Sequence, residues 1–256
     1  MSEFFSLRGV TMRFGGLVAL NDFSMDVQQG TIHALIGPNG AGKSTLFNCI
    51  SRFCTPQEGA ISFEDRNLLA EPAHNIVMLG VARTFQNVEQ LHQMTVLENV
   101  LVGLTSTMPK YMPFIPSRGR SCAEAQAVEQ AEEILEQLEL AAFRDVPAGS
   151  LDFGRQRMLD FARALASKPR MLLLDEPAAG LRNREIGFLD EFLVRLVRER
   201  GITVLLVEHV MQLVMSVADR VTVVNFGQKI AEGTPQQVMK DPAVIEAYLG
   251  KEDSHA

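Results

Sequence analysis

Long apolar runs and abundant cysteines are both missing from this 256-residue sequence. The three cysteines, Cys49, Cys54 and Cys122, have the spacing of neither a metal site nor a disulfide framework, which favours a reduced, cytosolic compartment. The longest apolar runs, such as Met171–Leu174 and Ile202–Val207, fall far short of the roughly 20 residues that span a membrane. The amino terminus lacks the basic and then apolar pattern of a signal peptide, so no secretory leader is predicted.

Excess positive charge is also missing. The chain has 24 Lys and Arg residues against 31 Asp and Glu residues, a formal net charge of −7, which argues against a nucleic-acid surface as its main function. The sequence contains no internal repeat and no low-complexity segment. Its hydrophobic content of 46% and charged content of 21% are ordinary for a globular protein, and its length allows one large domain or two small ones.

One glycine-rich stretch carries the clearest chemical signal. Gly37–Thr45 fits the phosphate-binding pattern G-x-x-x-x-G-K-[ST], which would match by chance somewhere in such a chain with a probability on the order of 1%. The alternative is an ordinary Gly-rich turn. The preceding run Ile32–Ile36 predicts a strand and the following residues predict a helix, which is the context that the motif needs. Lys43 is expected to reach the β- and γ-phosphates, and the Ser44 hydroxyl to bind Mg²⁺. The predicted nucleotide-binding residues of this loop are Gly37, Pro38, Asn39, Gly40, Ala41, Gly42, Lys43, Ser44 and Thr45.

A second motif lies at the end of the apolar run Met171–Leu174, which is followed by Asp175 and Glu176. Such a run is typical of a buried parallel strand whose carboxyl end carries chemistry. In a phosphate-loop protein the first acid holds the Mg²⁺ shell, and the second can act as a general base on the attacking water. The alternative is that both acids cap the next segment.

Three single residues each have a structural and a functional interpretation. Phe14 is either a hydrophobic anchor or a ring that stacks on a base. Gln86 ends the short predicted strand Val81–Gln86, where a surface amide usually has no function. His209 follows the predicted strand Ile202–Glu208, and although a lone histidine is usually structural, this position is expected to face the nucleotide.

The rest of the pattern predicts further elements. Alternation predicts antiparallel strands at Phe4–Met12 and Ala19–Val27. The proline-containing segment Thr105–Arg120 is predicted to be an irregular, exposed insertion, and Ser121 to be the N-cap of an amphipathic helix. Further strands are predicted at Gly59–Phe63, Val221–Asn225 and Lys229–Glu232, and further helices at Ile186–Val197 and at Pro235–Leu249 with a break near Asp241 and Pro242.

Before a further predicted helix, the segment Leu151–Gln156 reads Leu-Asp-Phe-Gly-Arg-Gln. Together with five features described above, it occurs in an order that resembles the ATP-binding subunit of ABC transporters over almost the whole chain. The six features are Phe14, Gly37–Thr45, Gln86, Leu151–Gln156, Leu172–Glu176 and His209. The resemblance implies that Phe14 stacks on adenine. It also implies that Gln86 contacts the Mg²⁺ and the attacking water and links them to the membrane domain.

The same resemblance assigns roles to the two later motifs. Asp175 would be a Mg²⁺ ligand, Glu176 the catalytic base and His209 the switch histidine. Leu151–Gln156 would be the signature segment, whose Asp152 and Gly154 would contact ATP held by the other subunit of a dimer.

Three stretches resemble the importers of branched-chain amino acids in particular. They are Met12-Arg13-Phe14-Gly15-Gly16-Leu17, Arg83-Thr84-Phe85-Gln86-Asn87 with Met94-Thr95-Val96-Leu97-Glu98-Asn99, and Glu232-Gly233-Thr234-Pro235 with Ile245-Glu246-Ala247-Tyr248-Leu249-Gly250. Importers of urea and short amides are similar enough to leave the substrate open. The sequence departs from the family pattern at Asp152 (usually serine), at Arg155 (usually glutamine), and at Arg182, where an acidic or amide residue is usual.

The resemblance implies an α/β fold made of one ABC ATPase domain. A P-loop nucleotide-binding core with a mostly parallel sheet would comprise residues 1–89 and 150–256 and carry an N-terminal antiparallel β subdomain. A helical subdomain would be inserted at residues 90–149. MgATP would close a sandwich of two such subunits and power import through membrane-spanning permease subunits, at the cytoplasmic face of the cell membrane.

The implied partners follow from that arrangement. A periplasmic or extracellular substrate-binding protein would act indirectly, and no nucleic acid is expected. Asp152 would place a negative charge near the γ-phosphate, where two unit charges about 4 Å apart repel by roughly 4 kcal/mol at an effective dielectric near 20, partly offset by Arg155. A heterodimer with a second ATPase subunit is therefore expected. The alternative is that Asp152 rotates away and both sites work.

Two other classes of protein stay open. A soluble ABC ATPase of ribosomes or DNA would normally show tandem cassettes or a long coiled-coil insertion, and neither is present. A nucleotide-gated regulatory subunit that hydrolyses little ATP fits the altered signature, whereas Glu176 and His209 argue against it.

Overall fold

The computed structural model of the protein describes residues 4–84, 91–105 and 117–249. Within them the chain forms two β-sheets and eight α-helices. The strands are β1 (Phe5–Phe14), β2 (Leu17–Val27), β3 (Ile32–Ile36), β4 (Glu58–Phe63), β5 (Arg66–Asn67), β6 (Val81–Arg83), β7 (Met171–Asp175), β8 (Thr203–Val207), β9 (Arg220–Asn225) and β10 (Gln228–Gly233). The helices are α1 (Lys43–Ile50), α2 (Val96–Leu104), α3 (Ser117–Gln137), α4 (Phe153–Ala166), α5 (Asn183–Arg200), α6 (Met211–Val217), α7 (Pro235–Val238) and α8 (Pro242–Leu249).

The smaller sheet is antiparallel and has the strand order β2-β1-β4-β5. It confirms the strands predicted at Phe4–Met12, Ala19–Val27 and Gly59–Phe63, although β2 begins two residues earlier than the predicted Ala19. Its inward side chains include the fully buried rings of Phe5, Phe23 and Phe63. These rings pack with Leu46 of α1 in one hydrophobic cluster, so the small sheet is fixed against the helix that follows the phosphate loop.

The larger sheet has the order β10-β9-β3-β8-β7-β6, with β10 antiparallel at one edge and the other strands parallel. All residues of β3, β7 and β8 are buried. This burial explains why their sequences are mainly apolar, since a parallel strand covered on both faces has no solvent-facing side. The mixed α/β architecture with one antiparallel and one mostly parallel sheet is therefore confirmed.

Successive residues of the central strands point into two different cores. Leu172 and Leu174 of β7 pack with α4 and α5, whereas Met171 and Leu173 pack with α1 and the small sheet. The two-residue period of a strand thus joins the helical layer to the β layer through one sheet. Because β3, β7 and β8 are parallel neighbours, their carboxyl ends meet at one edge, where ligands bind in open α/β sheets.

The helical region differs from the sequence prediction at its start. Ser121 was expected to cap a helix, but α3 already begins at Ser117, so that expectation is wrong and residues 117–120 are helical rather than irregular. Pro116, the last proline of the segment, directly precedes the helix, and Gly119 costs only about 1 kcal/mol in a helix interior, too little to stop it. The rest of the predicted insertion, residues 106–116, lies outside the described residues, and the boundaries predicted at 89/90 and 149/150 stay a prediction.

The break expected near Asp241 and Pro242 is confirmed, since it separates α7 from α8. Val244 of α8 packs with Ile36 at the end of β3, so the carboxyl-terminal helix lies against the strand that leads into the phosphate loop. Of the helices among the described residues, none combines the length and apolar character needed to cross a bilayer.

Candidate nucleotide-binding site

The glycine-rich loop connects β3 to α1, as the motif requires. A Cβ at Gly37 would lie 2.0 Å from the carbonyl oxygen of Val224, so no larger residue fits there. Gly42 precedes α1 with φ of 108°, and a Cβ there would lie 2.5 Å from the oxygen of Ala19. The loop therefore depends on glycine both for close backbone contact and for left-handed torsion.

Lys43 is buried inside this loop. Its Nζ donates to the carbonyl oxygens of Gly37 at 2.7 Å and Pro38 at 2.8 Å. Burial lowers the pKa of Lys43, and the nearby charges of Glu176 and Asp175 act in the opposite direction. The ammonium is therefore already positioned at the centre of the loop, within the field of the two acids, before any anion binds.

Asp175 lies buried at the carboxyl end of β7. Its Oδ2 is 2.8 Å from Nη2 of Arg83, while its Oδ1 is buried and has no hydrogen-bond partner among the described residues. Ser44 is exposed at the start of α1. A spare carboxylate oxygen and a hydroxyl fit Mg²⁺, which typically takes one or two protein oxygens together with phosphate oxygens and water.

No group of three or more His, Cys, Asp or Glu side chains that could hold a metal occurs in the described parts of the chain. An ion at Asp175 would therefore depend on ligands that the nucleotide brings. This agrees with a Mg²⁺ that binds together with the phosphates rather than in a protein cage.

Glu176 and His209 meet across the ends of β7 and β8. Nε2 of His209 lies 2.9 Å from Oε1 of Glu176. The backbone of Glu176 is left-handed, with φ of 50°, and its N–H donates to the oxygen of Val207 at 2.9 Å. A non-glycine residue in this conformation is strained and persists only where its surroundings hold it, which is typical of functional sites.

Sequence reasoning missed Glu208. This carboxylate is 1% exposed; Oε1 accepts from the N–H of Ala178 at 2.7 Å, and Oε2 accepts from the N–H groups of His209 at 2.7 Å and Val210 at 2.9 Å. The signal was present, since Glu208 ends the apolar run of β8 as Asp175 ends that of β7. By pattern alone it is the last residue of a predicted strand, which indicates no role.

The signature segment forms the start of α4. Asp152 is the N-cap, whose Oδ1 accepts from the N–H of Arg155 at 2.9 Å, and its Oδ2 is paired with Nη1 of the same arginine. The guanidinium of Arg155 also lies 4.3 Å from the ring centroid of Phe143. The negative charge of Asp152 is thus partly neutralised within its own helix turn.

The remaining candidates lie at separate positions. Phe14 ends β1 and is 50% exposed, beside the exposed Leu17 and Val18, so its ring is accessible from solvent. Asp152 and Gly154 line a cavity of about 380 Å³ with Arg182, and the loop residues 38–41 line a different one. Gln86 lies outside the described residues. The fold therefore brings Lys43 close to Asp175 and Glu176, with His209 against Glu176, but it leaves the signature segment apart.

Comparison with known proteins gives matches over nearly the full length. Residues 20–179 match the family described as ABC transporter, and residues 228–254 match the one described as branched-chain amino acid ATP-binding cassette transporter. The high-affinity branched-chain amino acid transport ATP-binding protein BraF of Pseudomonas aeruginosa is 43% identical over 247 residues, which cover 95% of this chain and 96% of BraF. The corresponding protein LivG of Escherichia coli strain K12 is 43% identical over 254 residues, which cover 96% and 97%.

Solved structures agree with these matches. The structure described as the ADP conformation of an ATP-binding cassette of an ABC transporter superposes with a TM-score of 0.83 at 34% identity, covering 98% of this chain and 100% of the other. A dimeric structure of a bacterial ABC transporter cassette has a TM-score of 0.79 at 24% identity, covering 90% and 98%, and shows likeness of fold alone.

Proposed function

This chain belongs to the ABC transporter family, and from that premise we propose that it hydrolyses ATP to power the uptake of branched-chain or related amino acids. The substrate class rests on BraF and LivG, whose names state branched-chain amino acid transport. Urea or a short amide is the runner-up substrate, because importers of those molecules resemble this sequence. One observation carries the ATPase assignment. At one end of the parallel strands the fold brings together four side chains, those of Lys43, Asp175, Glu176 and His209.

The proposed chemistry begins with the phosphates. The N–H groups of the loop and the ammonium of Lys43 bind the β- and γ-phosphates, and the exposed ring of Phe14 stacks on adenine. Mg²⁺, when bound through Ser44 and Asp175, supplies the charge that neutralises these phosphates. Gln86 is proposed to contact the same ion and to link it to the membrane partner.

Glu176 is proposed as the general base. With the proton on Nε2, His209 donates to Oε1 of Glu176 and stabilises the ionised carboxylate, which is the form that can accept a proton from the attacking water. Glu176 directly follows β7, at the same end of the sheet as the phosphate loop, and its strained backbone is held there by the bond to Val207. The pair therefore supports hydrolysis rather than nucleotide binding alone.

The proposed membrane partner docks in a groove of about 340 Å³ between the end of α1, β6 and the facing sides of α2 and α4. Phe53 and Val102 line it and are 62% and 37% exposed, so the groove offers apolar surface next to Arg83 for a protein contact. Arg83, whose guanidinium bonds to Asp175, lines the same groove. A permease segment in this groove would hold the chain at the cytoplasmic face of the membrane as a peripheral subunit.

A crosslinking experiment tests the docking. A single cysteine placed at Phe53 or Val102, in a cysteine-free background, should crosslink to cytoplasmic loops of the permease in the assembled transporter. A cysteine at Phe226, which is 84% exposed at the tip of the β9–β10 hairpin, is the matched control and should not. Crosslinks from position 226 alone would contradict the groove assignment.

A transport experiment tests the substrate. Proteoliposomes that contain the assembled transporter, its substrate-binding protein and enclosed ATP should take up radiolabelled leucine, and uptake should stop when ATP is replaced by a non-hydrolysable analogue. Uptake of urea without leucine would establish the runner-up substrate. Leucine uptake that continues with the analogue would overturn the ATPase role.

A further inference from the structure

Glu208 joins the two loops that carry the proposed base and the histidine. Its carboxylate accepts the N–H of Ala178, two residues after Glu176, and the N–H groups of His209 and Val210. The first bond crosses between the segments after β7 and β8, which are 30 residues apart in sequence at this contact. One buried side chain therefore connects both loops.

The three bonds require a carboxylate. An ionised carboxylate only accepts hydrogen bonds, and here one oxygen accepts one N–H and the other accepts two. An amide would turn an NH₂ donor toward at least one backbone N–H, leaving two buried donors facing each other without an acceptor. Glutamine in place of Glu208 has nearly the same size but cannot keep all three bonds.

The charge of Glu208 is compensated by its surroundings as well as by these bonds. Arg157 of α4 is buried, and although burial lowers the pKa of its guanidinium, the charges of Asp160, Glu208, Glu176 and Asp175 act in the opposite direction. The carboxylate that binds both loops therefore has three N–H donors and lies in the electrostatic field of a buried guanidinium.

The bonds fix the backbone of Glu176 on both sides. Its own N–H donates to Val207 of β8, and two residues later Ala178 donates to Glu208. Between these two anchors Glu176 keeps its left-handed φ of 50°, a conformation that L-residues rarely adopt unless it is held. Without the second anchor, the segment after Glu176 could relax and move its carboxylate away from His209.

We propose that Glu208 is a positioning residue for ATP hydrolysis, which holds the carboxylate of Glu176 and the imidazole of His209 in one fixed relation. This inference rests on the proposed function, because it assigns Glu208 to the orientation of that same site. Glu208 touches neither nucleotide nor water in this role. It acts only through the backbone of the residues that do.

The test is the steady-state ATPase activity of the assembled transporter with Glu208→Gln. We expect kcat to fall by about 10- to 100-fold, since a displacement of about 1 Å at a reacting group has effects of that size. The KM for ATP should stay within about twofold, because the phosphate loop is unchanged. Glu208→Asp keeps the charge but is one methylene shorter, so its kcat should be intermediate.

Two comparisons separate positioning from general stability. Asp219→Asn is the matched control, since Asp219 also accepts a backbone N–H, that of Ile32 at 2.8 Å. This contact lies where β3 and β9 begin, at the opposite end of the strands from Glu176 and His209. It should leave kcat unchanged. In a Glu176→Gln background, Glu208→Gln should lower activity no further, because residues that act as one unit do not have additive effects.

The outcomes are distinct. Three results would overturn the positioning role. The first is a kcat for Glu208→Gln within twofold of wild type, and the second is a loss of kcat equal to that of Asp219→Asn. The third is a double variant whose loss of kcat equals the product of the losses in Glu176→Gln and Glu208→Gln. Wild-type transporter that binds but never hydrolyses ATP would overturn the proposed function itself.

Discussion

Nη2 of Arg83 lies 2.8 Å from Oδ2 of Asp175, and the two side chains are 9% and 4% exposed. Nη1 of the same guanidinium donates to Oδ1 of Asn48 at 2.8 Å, and its carbon lies 5.4 Å from the ring centroid of Phe47. Arg83 therefore connects the end of β7 to the helix that begins at the phosphate loop. Arg83 also lines the groove proposed for the permease, together with Phe53. It therefore links the phosphate loop and Asp175 to that groove.

Replacing Arg83 should destabilise the fold. Arg83→Met keeps much of the length of the side chain but leaves the carboxylate of Asp175 buried without its partner, so we expect a loss of about 3–5 kcal/mol in the free energy of unfolding. Urea denaturation measures it. The double variant Arg83→Met, Asp175→Asn should lose less than Arg83→Met alone, because it buries no unpaired charge; a larger loss in the double variant would show that the ion pair is not the cause.

Replacing Lys43 should weaken nucleotide binding. A charged hydrogen bond contributes about 1.5–3 kcal/mol, so Lys43→Ala should raise the Kd for MgATP by roughly 10- to 100-fold. Titration calorimetry measures this, with Lys229→Ala as a control lysine whose partner is Glu232 on the β9–β10 hairpin. Equal affinity of wild type and Lys43→Ala would show that the loop does not bind phosphate.

Replacing Glu176 should separate binding from hydrolysis. Glu176→Gln keeps the size of the side chain and can still bond to His209, but an amide cannot accept the proton of the attacking water. We expect unchanged MgATP affinity and an ATPase rate lower by about 100-fold or more, the usual contribution of a general base. Normal turnover in this variant would remove Glu176 from the mechanism.

His33 should make the stability of the protein depend on pH. It lies fully buried in β3, with Nε2 2.8 Å from Oγ1 of Thr222, and burial lowers its pKa to about 4; Glu232 acts against this shift, while Arg220 and Lys229 add to it. Between pH 4 and 6.5 the unfolded chain binds a proton at this residue that the folded chain does not, so stability rises with pH in that window. From pH 7 to pH 5 this residue should lower the free energy of unfolding by about 2 kcal/mol.

The measurement is urea unfolding at the two pH values for wild type and His33→Gln. Carboxylates titrate in both proteins, so the comparison isolates the histidine. The decrease on going to pH 5 should be smaller in His33→Gln by about the amount given above. An identical decrease would mean that His33 has an ordinary pKa in the folded state.

In the proposed heterodimer, the two ATP sites should differ. Asp152 would close the site on the partner subunit with a carboxylate, only partly offset by Arg155, where the family has a serine hydroxyl that donates to the γ-phosphate. Lys43→Ala should therefore abolish nearly all ATPase activity of a heterodimer, whereas the equivalent change in the partner should leave a substantial fraction. Equal losses from both, together with no gain from Asp152→Ser, would show that the sites are equivalent.

The sequence by itself determined the local chemistry of this protein. The glycine spacing of Gly37–Thr45 specified a phosphate loop, because only glycine accepts those torsions and contacts. Mainly apolar runs specified strands buried on both faces, and the acids at the end of one of them predicted a catalytic site at that end of the sheet. The start of α3 was predicted wrongly, because helix propensity over residues 117–120 is weak and Ser121 looked like a cap.

Only the tertiary structure decided which of these side chains meet. The ion pair of Arg83 with Asp175 joins residues 92 positions apart, and the bond from Glu208 to Ala178 joins residues 30 apart. Neither contact leaves a periodic or spacing signal, since each depends on the order in which β6, β7 and β8 lie side by side in the sheet. Helices pack on one face of this sheet, and α1 with the small sheet packs on the other. The strand order brings the separate motifs together at one end of the sheet.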